Sequence, residues 1–298
     1  MNNTSWMTQW NWEPSLILGT IVLIGLYLYA IGPLRVKYAL GPQVPFWRAF
    51  SFLLGVDLIF LAIFSPIDKL GESYLFSVHM IQHMLFSLAA PPLILLGLPA
   101  WLFQPLLRNR FIFRAGKILT WPVLTSLLFN GVLWLWHAPP LYDAAIANRG
   151  LHLFSHLCYI VTGLLFWWPL LSPLKEGWTP LPTITKLFYI FFNDMSMVLL
   201  GAGLTFMPPL YTRYLAAPRL WGISAEMDQQ LGGQFMWVVG SLFLIVVAMI
   251  LLGRWLLEQE RKEQEKQERL LAAQEDSENV ENVRSGRSEI AHPVSERA

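Results

Sequence analysis

A single cysteine, Cys158, excludes an intramolecular disulfide and any Cys-rich zinc or iron–sulfur motif. Metal chemistry in this chain must therefore use His, Met or carboxylates. Charge is scarce too: 14% of the 298 residues are charged and the net charge is +1, so no basic field for nucleic acid exists. There is no HExxH or comparable base-bearing zinc motif, which argues against an intramembrane metallohydrolase and leaves no sign of an enzyme. The opening MNNTSWMTQWNWEP lacks a basic n-region and a small-residue cleavage pattern, so no removable signal peptide is expected. Trp6, Trp10 and Trp12 suit interfacial anchors instead, each offering an apolar body with one N–H donor.

What is abundant is apolar surface. The chain is 55% hydrophobic with 14 Trp, too apolar for a soluble fold of this length. Stretches of spanning length lie near 14–32, 47–65, 76–98, 119–137, 151–171, 186–206 and 231–253, predicting an all-α polytopic bundle of about seven spans. Pro33, Pro91-Pro92, Pro99, Pro139-Pro140, Pro169, Pro173 and Pro208-Pro209 punctuate it, and Pro91-Pro92 should kink the third span. Arg35 and Lys37, then Arg108, Arg110, Arg114 and Lys117, then Lys175 and Lys186 mark one side. The other side carries Lys69, Arg149, Arg213 and Arg219. The positive-inside bias makes the first set cytoplasmic, with the N-terminus outside and the C-terminus inside. Residues 1–253 are thus expected to form the membrane domain and 254–298 a charged cytoplasmic tail, first helical and then disordered. No sustained a/d heptad supports a coiled coil there.

Five of the six histidines fall at the outer face under this topology. His79 and His83 share a helix face in HMIQH, His152 and His156 repeat the i,i+4 spacing in HLFSH, and His137 ends a helix arriving at that side. Neutral imidazoles converging there could bind copper, zinc or haem iron, or could form an interfacial polar network. Met80 and Met84 lie on a different face of their helix and are expected to pack; Met207 and Met227 flank the last outer loop. His292, in the polar tail, is not expected to take part, and Cys158 should point away from the His152 and His156 face.

Asp57 and the Asn193-Asp194 pair lie mid-span, where a charged carboxylate is costly unless it is paired, hydrated or protonated. They mark either a functional site or interhelical hydrogen bonds, with Gln82 and Asn130 as candidate partners. Near the outer face, Asp143, Glu226 and Asp228 could supply oxygen ligands or orient an imidazole.

The stretches HMIQHMLFSLAAPPLILLGLP (79–99), WHAPPLYDAAI (136–146), HLFSH, GLLFWWPLL (163–171) and DQQLGGQFMW (228–237) together resemble the CtaG family of cytochrome c oxidase assembly factors, found with caa(3)-type oxidases in bacteria. The seven spans do not match the unrelated single-span copper chaperone that shares the name. The resemblance implies a multi-pass protein of the bacterial cell membrane that matures a haem-copper oxidase by handling copper for the Cu-B centre. Its partner would be the oxidase catalytic subunit, and a homo-oligomer is compatible with this. The matching positions, and so the implied copper ligands, are His79, His83, His137, His152 and His156. One departure is Ser155, where the family pattern often has a carboxylate. Two other classes remain open: a membrane b-type cytochrome or quinone oxidoreductase using the paired histidines, and a copper or proton transporter using Asp57 and Asp194.

Overall fold

Apolar runs of membrane thickness can satisfy their backbone in lipid only as helices, and that is the form they take here. The computed structural model describes residues 5–174 and 181–290, with backbone alone over 276–290; Lys175 and His292 lie outside the described residues. The helices are α1 (Pro14–Tyr38), α2 (Phe46–Phe64), α3 (Pro66–Ser73), α4 (Phe76–Gly97), α5 (Arg110–Leu119), α6 (Pro122–His137), α7 (Pro139–Ala147), α8 (Arg149–Leu171), α9 (Thr183–Phe206), α10 (Thr212–Ala216) and α11, which starts at Ala225. No strand occurs among the described residues. The chain divides into two units, Met1–Val246 and Val247–Ala298. The second is helical through Ile290, with Glu258 and Lys262 paired one turn apart.

Among the described residues, six helices are long and apolar enough to cross a membrane: α1, α2, α4, α8, α9 and α11. A seventh crossing exists if α5 and α6, bent by 62° at their junction, count as one. The span expected near 119–137 is thus the 16-residue α6, opened by Pro122 in its first turn. Strongly amphipathic α5, with Arg110, Arg114 and Lys117 beside exposed Phe111 and Ile118, suits the headgroup layer. Leu18, Ile21 and Leu26 of α1 and Phe188, Phe192 and Leu199 of α9 are exposed, as a lipid-facing surface requires.

The third span runs as one helix, and the irregularity ahead of Pro91-Pro92 is a change in its hydrogen bonding. Between Phe76–Met84 and Ala90–Gly97 the backbone makes a π turn over Leu85–Ala89. Pro91 has no N–H for the carbonyl four residues back, that of Ser87. The indole Nε1 of Trp167 donates to that carbonyl instead, at 3.2 Å. The approach of α8 that allows this needs Gly163, where a Cβ would lie 2.9 Å from the Cα and O of Ser87.

Two adjacent side chains of α11 hold the ends of other helices. Leu75 cannot cap α4, so the carboxylate of Asp228 accepts from the backbone N–H of Phe76 (2.6 Å) and Ser77 (3.0 Å) and from the Ser77 hydroxyl (2.6 Å). Next to it, Gln229 donates to the carbonyls of Leu204, Met207 and Pro208, and accepts from the N–H of Leu210. Gly233 permits the crossing with α9, because a Cβ there would sit 2.6 Å from the Gly201 carbonyl.

Trp167→Phe should keep an aromatic ring but lose the N–H donor and part of the buried indole volume, lowering stability by at least about 1 kcal/mol in a reversible detergent-unfolding titration. A loss indistinguishable from zero would mean that the Ser87 carbonyl finds another partner.

Candidate metal centre

At one end of the bundle the connecting segments fold over the helix tips. Asn11 donates to the Ile63 carbonyl and to Asp68, Arg149 pairs with Glu13, and the Thr212 hydroxyl donates to Asp143. Beneath this cover lie His79 and His83 on α4, His137 at the end of α6, and His152 and His156 on α8. All five are buried, and their rings form one continuous cluster. Centroids are 4.4 Å apart for His79 and His83, 4.1 Å for His152 and His156, 5.2 Å for His79 and His152, and 5.7 Å for His83 with either His137 or His156. Within the cluster, His79, His83 and His156 each offer a ring nitrogen, and these atoms lie within 4.8 Å of one another.

The surroundings sort the five by role. His79 Nδ1 lies 3.0 Å from the Tyr214 hydroxyl and 3.1 Å from that of Tyr142. Tyr214 already donates to the Gly71 carbonyl, so a proton on His79 Nδ1 satisfies the group and leaves Nε2 as a free lone pair. His152 Nδ1 contacts Glu72 Oε1 at 2.6 Å, and its Nε2 lies 3.4 Å from Nε2 of His79. His137 bonds the Leu133 carbonyl through Nδ1 (2.7 Å), while its Nε2 faces the sulfur of Met80 at 3.2 Å. His83 and His156 differ: neither nitrogen of either ring has a hydrogen-bond partner among the described residues. Buried polar atoms are ordinarily paired, so four such nitrogens in one cluster mark a place built for something else to bind. Tyr159, stacked 4.2 Å from His83, and Phe86, 4.8 Å from His156, wall the trio with aromatic rings.

The sequence profile of the cytochrome c oxidase caa3 assembly factor family (Caa3_CtaG) matches residues 25–258. The chain belongs to that family. With its several apolar helices, it is a multi-pass protein of the bacterial membrane. It is also similar to uncharacterized proteins of Mycobacterium leprae (26% identical over 276 residues, 85% of this chain and 40% of the relative) and Mycobacterium tuberculosis (26% over 294 residues, 91% and 41%). The chain therefore spans about two-fifths of the length of these curated relatives. No solved structure matches it.

Several sequence expectations change in detail. Asp143 accepts from Thr212 and Asp228 caps α4, and neither is bonded to an imidazole. The carboxylate that orients a histidine is Glu72, in the short helix α3, where neither a motif nor membrane depth marks it. It serves a helix whose own neighbouring position is Ser155, an oxygen that only bonds back to the His152 carbonyl. Met80, expected to pack, does so with its sulfur against His137. Mid-span Asp194 accepts from the Ser241 hydroxyl at 2.8 Å, and Asn193 bonds Asn130, as interhelical links. Gln82 turns to Asp68 and the Ala62 carbonyl, not to Asp57, which is exposed on its helix. Neither Asp57 nor Asp194 is bonded to the histidine cluster.

Beside the cluster, burial and then the charge of Glu72 push Asp68 up to about 7, against the pull of His152 and hydrogen bonds from Gln82 and Asn11. For Glu72 burial acts upward too. The hydrogen bond and charge of His152, with Lys69 and Arg149, outweigh it and hold Glu72 below the usual carboxylate range.

Between the ordinary aspartate value and about 7 the folded chain binds the Asp68 proton and the unfolded chain does not. Asp68 should therefore make stability fall as pH rises from about 4 to 7. Asp68→Asn should flatten that decline in thermal unfolding measured across the window; an unchanged slope would remove Asp68 as its source.

Proposed function

We propose that this chain handles copper for the Cu-B centre of a haem-copper cytochrome c oxidase. The ion is held as cargo by His79, His83 and His156, with His152 and His137 beside them, and the protein docks on the oxidase catalytic subunit within the bilayer. The observation that carries this reading is the set of unpartnered nitrogens on His83 and His156, buried against the imidazole of His79. Leaving such atoms unbonded costs free energy, and a transition-metal ion would satisfy several at once. Membership of an oxidase assembly family supplies the context in which a membrane copper site has use. In this reading the role is non-enzymatic: the protein binds the ion and gives it up without changing a substrate.

The histidine end faces the extracytoplasmic side, following the distribution of Arg and Lys over the connections. Neutral nitrogen donors and a thioether beside them suit cuprous ion better than a hard cation such as magnesium. A b-type cytochrome built on the same histidines is disfavoured, because axial ligation needs two imidazoles opposed across a macrocycle. Here adjacent rings touch, with Tyr159 and Phe86 filling the flanks.

Purified protein should bind near-stoichiometric copper and show no Soret band, and His79→Ala combined with His83→Ala should abolish copper binding. Elemental analysis and absorption spectra check both. Undiminished copper in the double variant would remove the proposed site, and a Soret band that stays with the protein would favour the cytochrome.

A further inference from the structure

The trio is buried, so an ion must reach it by some path. A cleft of about 370 Å³ opens between the segment at Gln9–Asn11, α3, and the junction of α7 with α8, and its wall includes His152 and His156. Glu72 lines the same cleft with its side chain one-third exposed. The carboxylate is thus wet, while the imidazole it holds at 2.6 Å is buried. The other nitrogen of that imidazole lies 3.4 Å from His79. One ring therefore connects a solvent-touched carboxylate to the first member of the trio. A second observation points the same way: His156, on the cleft wall and 2% exposed, carries two unpartnered nitrogens. The other charged groups facing the cleft are Asp68, Lys69 and Arg149. Asp68 is engaged by Gln82 and Asn11, and Arg149 is paired with Glu13. That leaves Glu72 as the anionic group next to an imidazole.

We infer that Glu72 and His152 form a receiving site: the Glu72 carboxylate and His152 Nδ1 take a transition-metal cation from the cleft, the Nδ1 proton leaving to the water of the cleft, and the ring passes the ion on to His79, His83 and His156. This rests on the copper reading above and adds to it a direction and a loading step. A carboxylate at the mouth of a low-dielectric channel concentrates cations and speeds their capture, whereas the final affinity is set by the inner ligands. The signature of the receiving site is therefore kinetic: Glu72 should govern how fast the trio fills and not how much it holds.

The test uses the full chain in nanodiscs, with cuprous ion presented as its coloured bicinchoninate complex and transfer followed by loss of the colour. Glu72→Gln should load at least roughly tenfold more slowly than wild type and reach the same final occupancy, with Glu72→Asp recovering much of the rate. A Glu72→Gln rate within about twofold of wild type would overturn the receiving site, as would a lower final occupancy with an unchanged rate. A second variant does not disturb the pair: Ala147→Cys on the cleft wall, in a Cys158→Ser background. After reaction with a bulky maleimide it should load much more slowly than the same protein unmodified. Equal rates before and after modification would also overturn the route. A wild-type chain that takes up no copper at all would instead sink the copper reading.

Discussion

The helix that carries His79 and His83 begins inside the protein, where its first N–H groups meet no water. A buried helix start is tolerable only if acceptors are brought to it. Asp228, from a helix 150 residues later in the chain, brings three acceptor contacts to Phe76 and Ser77. This one carboxylate fixes the depth and rotation of α4, and with them the direction in which both imidazoles point. Its neighbour Gln229 does the corresponding work at the far end of α9, so two consecutive residues register three helices at the site. Close glycine crossings then let the backbones meet near enough for these short side chains to reach.

On that frame the cluster is graded in its hydrogen bonding. His79, His137 and His152 are oriented by hydroxyls, a backbone carbonyl or a carboxylate, each fixing one ring nitrogen and leaving the other available. His83 and His156 are held by ring packing alone. In the proposed copper-handling role such a mixture favours release, since a closed tetrahedral cage with every ligand braced would retain the metal. The π turn of α4 at Leu85–Ala89 begins two residues after His83 and is answered by Trp167 from the helix that bears the other pair.

The span count, an irregular stretch beside Pro91-Pro92 and the gathering of the histidines at one end were legible from hydropathy, proline chemistry and i,i+4 spacing. What escaped that reading were contacts between residues far apart in the chain. Glu72 sits in a short amphipathic segment with no motif around it, and the packing of α3 against α4 brings it within reach of His152. Met80 was assigned to packing by helical phase, which places it away from His79 but says nothing of the neighbour it packs against; that neighbour is His137. Asp228, a candidate imidazole partner by sequence, is a helix cap, its two oxygens taken up by the N–H groups of Phe76 and Ser77 and the Ser77 hydroxyl.

The sequence by itself determined that this is a multi-pass membrane protein with two histidine pairs and His137 at one end, because the solvent for each stretch follows from its hydropathy and the face of each pair from helical period. Membership of the oxidase assembly family is likewise carried by the sequence. Only the tertiary structure decided which three imidazoles share a space, which nitrogens are left unpartnered and which carboxylate faces the cleft beside them. The physical reason is that these depend on rotation and depth of packed helices, which are set by long-range caps and close crossings that no local pattern records.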